Sequence, residues 1–176
     1  MIQTLETERL LLMPWTPDDV GLLSNLGRDP RVVRYIGRGH PWTAAEVLEV
    51  SDAQVDHWRE HGFGWRVAME KRTGEPIGFM ALNIMHPDIT GLEPQIHDIG
   101  WWLNPTAWGQ GYAKEGAGAV RDHAFTTLAA PHLTARIRPA NAASIGVSLS
   151  LGMTHLFDTT GRHGEAVSIF RRDAPA

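Results

Sequence analysis

The sequence predicts a single mixed α/β domain over residues 1–176. Three observations predict it. A chain of 176 residues has the length of one domain and buries about 70% of its unfolded surface without help from disulfides or metals. Its 43% hydrophobic and 20% charged content is that of an ordinary globular protein. Apolar residues recur at a spacing of two in some segments and of three to four in others, which predicts strands interleaved with helices.

The N-terminal third is predicted to hold one strand and three helical stretches. Pro14 ends the strand, and Thr43 with Glu46 forms a capping box that opens the longest helix. The predicted elements are a strand over Thr7–Met13, a helix capped by Thr16, a short helical stretch through Val32 and Ile36, and a helix that Gly62 ends.

The middle third changes to strand spacing. Val67 and Met69 alternate with Arg66, Ala68 and Glu70, which is strand spacing. Residues 73–76 form a turn, and Ile77–Met85 is a second strand that runs back, so the sequence predicts a hairpin. Another strand, Ile96–Leu103, follows an exposed loop.

Helix and strand spacing alternate again in the last third. The predicted elements are a helix through Ala113 and Leu128, a strand over Leu133–Ile137, a helix from Asn141 to Leu151, and a hairpin of Met153–Thr159 and Glu165–Arg171.

Composition argues against several function classes. With 16 Lys and Arg against 20 Asp and Glu, the net charge is −4, which disfavours nucleic acid and mildly favours cationic partners. The absence of cysteine excludes thiol catalysis and cysteine-ligated zinc. No stretch reaches the roughly 18 apolar residues of a membrane span, and no signal peptide is visible. We therefore expect a cytoplasmic protein that binds neither nucleic acid nor membranes.

The junction between the Ile96–Leu103 strand and the next helix is the segment most informative about function. Gly109 and Gly111 let the backbone approach a ligand closely, and a helix N-terminus there would attract phosphate. A dinucleotide fingerprint would need glycine at Lys114, and a P-loop would need lysine at Ala117. The junction alone leaves phosphate binding and a plain turn equally open.

Four segments of the sequence, taken together, indicate a family. They are Thr7-Glu8-Arg9-Leu10-Leu11-Leu12, Asp98-Ile99-Gly100-Trp101-Trp102-Leu103, Trp108-Gly109-Gln110-Gly111-Tyr112-Ala113-Lys114-Glu115, and Asn141-Ala142-Ala143-Ser144 with Leu151-Gly152-Met153. In this order they resemble the GNAT superfamily of acetyl-CoA-dependent N-acyltransferases, and within it the RimJ/RimL-like group that acetylates ribosomal-protein N-termini. The resemblance covers nearly the whole chain, and its Gly-Gln-Gly-Tyr-Ala part is the most specific.

The resemblance implies an architecture and a cofactor. It implies a mostly antiparallel sheet in which Ile96–Leu103 splays from Leu133–Ile137 and leaves a cleft for the coenzyme. Acetyl-CoA is the implied co-substrate, with no metal. The implied coenzyme-binding residues are Trp108, Gly109, Gln110, Gly111, Tyr112, Ala113 and Lys114 at the diphosphate, with Asn141 and Ser144.

Acyl transfer to an amine requires a neutral nitrogen, a stabilised oxyanion and a proton for the departing thiolate. Many family members have a tyrosine seven residues after the asparagine to protonate sulfur, and here Ser148 stands there. Ser144 resembles the group's serine in this helix, which implies that it hydrogen-bonds the sulfur. A serine that only bonds to the backbone of its own helix turn is equally open. Asp98, where the group often has glutamate, is the candidate base through water.

The implied acceptor is a primary amine, with a protein or peptide N-terminus first and a small amine second, acetylated directly through a tetrahedral intermediate. An α-amino group with a pKa of about 7.7–8.0 is partly neutral at pH 7, whereas a lysine amine near 10.4 is not. Trp42 and Trp101 are candidates for the acceptor pocket. A homodimer is compatible with the sequence.

Two other functions compete with acetyl transfer. The missing tyrosine favours a non-catalytic acyl-CoA-binding or sensing module. His57-Trp-Arg-Glu60-His61 spells an inverted zinc-protease motif, but Gly62 would end that helix at once and no helix with a further ligand is evident.

Overall fold

The protein, described over residues 4–175 by a computed structural model, forms one eight-stranded sheet covered by helices on both faces. The strands are β1 (Leu5–Glu6), β2 (Leu10–Pro14), β3 (Arg66–Glu70), β4 (Pro76–Met85), β5 (Ile96–Leu103), β6 (His132–Ile137), β7 (Thr154–Thr160) and β8 (Ala166–Asp173). The α-helices are α1 (Val20–Arg28), α2 (Pro30–Val33), α3 (Ala44–His61), α4 (Tyr112–Thr126) and α5 (Ala142–Ser150). The predicted mixed α/β class is confirmed.

The central strands part from each other where a cleft was expected. The strand order is β1-β2-β3-β4-β5-β6-β8-β7, and the β5–β6 pair is parallel whereas the other neighbours are antiparallel. β4 and β5 pair along their length, from Gly78 opposite Leu103 to Met85 opposite Ile96. β5 and β6 pair only at Asp98 and Thr134. Beyond that point the strands diverge, which confirms the predicted splay.

The two faces of the sheet carry different helices. The side chains of consecutive strand residues point to opposite faces of the sheet, so Phe79 and Met80 of β4 each identify one face. Met80 packs under α4, where a Cβ added to Gly116 would lie 2.6 Å from its terminal methyl group. Phe79 stacks on Trp102 across the other face, with ring centroids 5.2 Å apart, and Trp42 packs against Trp102 there. α4 with α5 covers the first face, and α1 with α2 and α3 covers the second.

The N-terminal strand differs from the prediction. Instead of one strand over Thr7–Met13, β1 and β2 are joined by a turn that a hydrogen bond from Thr7 N–H to Leu10 O closes. The hydroxyl of Thr7 and the backbone N–H of Arg9 both donate to Glu115 of α4, at 2.6 and 2.7 Å. This contact with a distant residue bends the chain, so the prediction of a single strand was wrong.

The predicted capping signals set the ends of α3. The Thr43 hydroxyl accepts the Glu46 N–H, and the Glu46 carboxylate accepts the Thr43 N–H at 2.7 Å. Gly62, with φ of +73°, ends the helix in the left-handed conformation that favours glycine. No helix within residues 4–175 is long and apolar enough to cross a lipid bilayer.

Candidate active site

The divergence of β5 and β6 opens a cavity of about 880 Å³. Residues 99–103 of β5 and 136–138 at the end of β6 form two of its walls, and Ser144 of α5 lies on a third. Residues 30–32 and 34–36, in and after α2, line it from the opposite face of the sheet. Small-molecule sites typically occupy about 300–1,000 Å³, so the cavity has room for an elongated ligand that passes between the strands.

The turn before α4 has the geometry of a phosphate site. Gly109 and Gly111 have φ of +71° and +82°, which side-chain-bearing residues rarely adopt. The first hydrogen bond into the helix runs from Glu115 N–H to Gly111 O at 3.0 Å. The N–H groups of residues 112–114 therefore have no acceptor within the helix. Gly109 and residues 111–114 line the cavity, so these amides and the positive end of the helix dipole suit an anion there.

A side-chain network fixes this turn in place. The Arg9 guanidinium donates to Gln110 O at 2.9 Å and to the Glu115 carboxylate at 2.7 Å, and it lies 4.2 Å from the centroid of the Tyr112 ring. The Tyr112 hydroxyl in turn donates to Glu70 of β3. This hydrogen bond is the main reason why the pKa of Glu70 is lowered. The turn is therefore held by groups that are already paired with one another.

Trp108 and Gln110 support the turn through the protein's own backbone. The Trp108 indole N–H donates to Leu103 O at 2.9 Å, and the Gln110 amide donates to Thr106 O at 2.8 Å. The Gln110 side chain is exposed and is not part of the cavity wall. Both side chains shape the turn, so contacts from these two residues to a phosphate there would come from their backbone groups.

Ser144, Trp101 and Asn141 come together on the cavity wall. Asn141 caps α5 by accepting the Ser144 N–H at 3.2 Å. The Trp101 indole N–H donates to Ser144 Oγ at 3.3 Å. Because the serine oxygen is the acceptor in that contact, its own O–H remains available to donate into the cavity.

The hydroxyl groups of Ser148 and Tyr35 are also relevant to proton transfer, and they differ in their access to the cavity. Ser148, at the position of the expected tyrosine, is fully buried and donates to Ile145 O at 2.8 Å. It therefore does not replace the tyrosine. Tyr35 lines the cavity from the α2 side, and its hydroxyl has no hydrogen-bond partner within residues 4–175. Sequence reasoning missed Tyr35, since no spacing or motif distinguishes it.

Asp98 and Trp42 are not among the residues, within 4–175, that form the cavity wall. Arg136 donates to both oxygens of Asp98, at 2.9 and 3.3 Å, so an ion pair joins β5 to β6 at their pairing point. The charge of Asp98 is the main reason why the pKa of Arg136 is raised. Trp42 packs against Trp102, which does line the cavity, and over Gly27 of α1. The catalytic role of Asp98 and the acceptor-binding role of Trp42 stay predictions.

His57, in the zinc-like motif, is engaged with the backbone. Its Nε2 accepts the Ile84 N–H at 2.9 Å, and its Nδ1 lies 2.8 Å from Phe63 O. Since Nε2 accepts, Nδ1 carries the proton and donates. Burial lowers the pKa of His57 and so favours this neutral form. A histidine with both nitrogens occupied is not free to ligate zinc, so the motif has a structural use here.

Comparison with known proteins gives a consistent result. Residues 9–154 match the profile of the acetyltransferase (GNAT) domain. The FsC-acetyl coenzyme A-N(2)-transacetylase of Aspergillus fumigatus is 31% identical over 164 residues, which cover 87% of this chain and 66% of that protein. The chain thus spans just under two thirds of that relative's length.

Solved structures show the same arrangement of elements. The acetyltransferase from Agrobacterium tumefaciens str. C58 has 30% identity and a TM-score of 0.81, covering 98% of this chain and 95% of the other. A RimL ribosomal L7/L12 alpha-N-protein acetyltransferase in complex with coenzyme A has 15% identity and a TM-score of 0.77, covering 98% of each chain. At 15% identity the second likeness is one of fold alone.

Proposed function

Because this chain belongs to the GNAT family of acetyl-CoA-dependent N-acetyltransferases, we propose that it acetylates a primary amine, with a peptide or protein N-terminus first and a small amine second. One observation carries the proposal: the gap between β5 and β6 is lined both by the phosphate-type turn before α4 and by Ser144. The name of one relative supports an amine acceptor, since it is an N(2)-transacetylase.

The residues present fit acetyl-CoA. The backbone N–H groups of residues 112–114 would bind the diphosphate, and the two glycines before them leave its approach free of side chains. The gap beyond Asp98 and Thr134 would accept the pantetheine arm beside β5. When bound, acetyl-CoA supplies a thioester carbon that a neutral amine can attack.

The reaction requires two proton movements. A bond forms between the amine nitrogen and the acyl carbon, and the carbon–sulfur bond breaks. The amine therefore loses a proton, and the sulfur, which leaves as a thiolate, gains one. A thiol pKa of about 8.5 makes that thiolate a tolerable leaving group.

Three groups of this chain would assist the reaction. Ser144, with Trp101 donating to its oxygen, is oriented to give its O–H to the sulfur. Asp98 is our candidate for the amine proton, and it would act through water because Arg136 contacts both of its oxygens. Backbone N–H groups of residues 99–103 that face the gap would meet the oxyanion.

The second candidate function is an acyl-CoA-binding module without turnover, which the burial of Ser148 favours. An assay of coenzyme A release with acetyl-CoA and a panel of amines separates the two. Turnover with at least one amine supports the acetyltransferase. Tight binding of acetyl-CoA without turnover on any of them would support the binding module.

A further inference from the structure

Arginines gather at the end of the cavity that α2 forms. Arg34 and Arg138 line the cavity itself, and Arg138 also lines a neighbouring concavity of about 570 Å³. Arg138 donates to the carbonyl of Gly37 and so ties the end of β6 to the loop after α2. We name this surface the cationic mouth; it comprises Arg34, Arg38, Arg138, Arg162 and His163.

The positive charge of the cationic mouth is largely uncompensated. No carboxylate oxygen within residues 4–175 lies within 4.0 Å of a side-chain nitrogen of any of its four arginines. By contrast, Arg31 beside it pairs with Asp29 at 2.6 Å. Glu165 is the one carboxylate on the second concavity. Four arginines against one glutamate leave three positive charges, in a chain whose net charge is −4.

Glu165 itself is held in its charged form. Burial by itself raises the pKa of Glu165. Hydrogen bonds from its own backbone and from the His163 N–H, together with the charges of Arg138 and His163, outweigh burial and leave the pKa below its ordinary value. Glu165 therefore offsets one arginine and leaves the others for a ligand.

The cationic mouth and the diphosphate turn open on opposite faces of the sheet. The turn begins α4, which packs on the Met80 face, whereas Arg34 and Arg38 follow α2, which packs with α1 on the Phe79 face. The cavity joins the two faces through the gap between β5 and β6. If the coenzyme enters from the α4 side, the cationic mouth is at the end of the cavity that is left for the acceptor.

We propose that the acceptor is an amine that carries carboxylate groups, and that the cationic mouth binds those groups while the amine reaches the gap. This proposal rests on the acetyltransferase function proposed above. Guanidinium groups match carboxylates as paired donors, and unpaired cations at a concave surface gain most from an anionic ligand. At physiological salt, charges act over about 8 Å. The local charge therefore outweighs the net charge, from which we expected cationic partners.

The test compares C-terminally amidated tripeptides that share an N-terminus: Ser-Glu-Glu, Ser-Gln-Gln and Ser-Lys-Lys, with free glutamate as a small acceptor. We expect kcat/KM to be about tenfold higher for Ser-Glu-Glu than for Ser-Gln-Gln, and lowest for Ser-Lys-Lys. Added salt should narrow the difference. Acetylation of free glutamate in preference to the peptides would assign the site to a small acid, still within the proposal.

Paired variants show whether the arginines act on the acceptor. Arg38 and Arg162 are exposed, so Arg38→Gln with Arg162→Gln should fold normally and abolish the preference for Ser-Glu-Glu. KM for acetyl-CoA should stay within about twofold. Arg59→Gln, on an exposed stretch of α3 outside both concavities, removes one positive charge and should keep the preference.

Three results would overturn the inference. A kcat/KM for Ser-Lys-Lys equal to or higher than that for Ser-Glu-Glu would overturn the inference of a carboxylate-bearing acceptor but leave the proposed acetyl transfer intact. A raised KM for acetyl-CoA in the double variant, with the acceptor preference intact, would assign these arginines to the coenzyme. No turnover with any amine would remove the proposed function, and this inference with it.

Discussion

The two ends of the cleft are built on different principles. At the proposed coenzyme end, Arg9, Glu115, Tyr112 and Glu70 are paired with one another, and together they hold the turn whose backbone amides we propose as the diphosphate-binding groups. At the proposed acceptor end, the cationic mouth consists of side chains, several of which are exposed. No carboxylate oxygen of residues 4–175 lies within 4.0 Å of its arginine nitrogens. Backbone amides at a helix N-terminus bind phosphate because the fold points them at it. Exposed side chains can instead change with little cost to the fold.

The largest effect is expected at the coenzyme end, from Gly111→Glu. A carboxylate would stand where the diphosphate binds, and the left-handed backbone would strain any residue other than glycine. Calorimetry should show acetyl-CoA affinity falling about a hundredfold or more. Gly74→Glu is the matched control, because Gly74 has φ of +74° and open space for a side chain in an exposed turn away from the cavity. If both variants bind acetyl-CoA like the parent, the turn is not the diphosphate site.

The next largest effect is expected on kcat, from substitution of Asp98 at the point where β5 and β6 diverge. If Asp98 relays the amine proton, Asp98→Asn should lower kcat by about a hundredfold and leave acetyl-CoA affinity unchanged. Arg136→Gln breaks the same ion pair but keeps the carboxylate, so it should have a much smaller effect on kcat. Equal losses in the two variants would show that the ion pair only holds β5 to β6.

A smaller loss is expected from Ser144→Ala. Removing the hydroxyl that faces the cavity should lower kcat by about tenfold to a hundredfold without weakening acetyl-CoA binding. Ser150→Ala serves as the control, because Ser150 is exposed on the same helix and donates to Val147 O. An unchanged kcat in Ser144→Ala would move the search for a proton donor to Tyr35, which Tyr35→Phe would then test.

The smallest effect is one of stability, from Glu115→Gln. Burial by itself raises the pKa of Glu115, but hydrogen bonds from Thr7 and Arg9 outweigh it and leave the pKa lowered. Glu115 therefore stabilises the fold fully above its unfolded pKa of about 4.3 and loses this contribution as the pH falls through the lower folded value. Arg9 is partly exposed, which limits the contribution to about 1–2 kcal/mol at pH 7.

Urea unfolding of parent and Glu115→Gln at pH 7 and pH 3 measures this effect. The difference in unfolding free energy should shrink at the lower pH. Glu49→Gln, an exposed site on α3, should change stability by less than about 0.5 kcal/mol at either pH. A difference between parent and Glu115→Gln that stays constant with pH would contradict the account of this network.

What the sequence predicted correctly was encoded locally. Gly111 before α4, the Thr43 capping box and the period-two strands each depend on neighbours within a few residues. The predicted splay and coenzyme turn came from motif resemblance. The β5–β6 pairing confirms the splay, and coenzyme binding at the turn stays a prediction.

What the sequence did not reveal depends on residues that only the fold brings together. Glu115 is 108 residues from Thr7, and their contact turned an expected strand into a turn. The cationic mouth combines residues from the loop after α2, the end of β6 and the β7–β8 turn. No spacing along the chain predicts that they meet in a protein whose net charge is negative.

A crystal structure with a bisubstrate analogue, coenzyme A joined through its sulfur by an acetyl link to the nitrogen of glutamate, tests the division of the cleft most directly. We predict the diphosphate at the N–H groups of residues 112–114, the acetyl link in the gap beside Ser144, and the glutamate carboxylates at Arg34, Arg138 or Arg38. A diphosphate bound at the cationic mouth, or an analogue that avoids the gap between β5 and β6, would contradict the account.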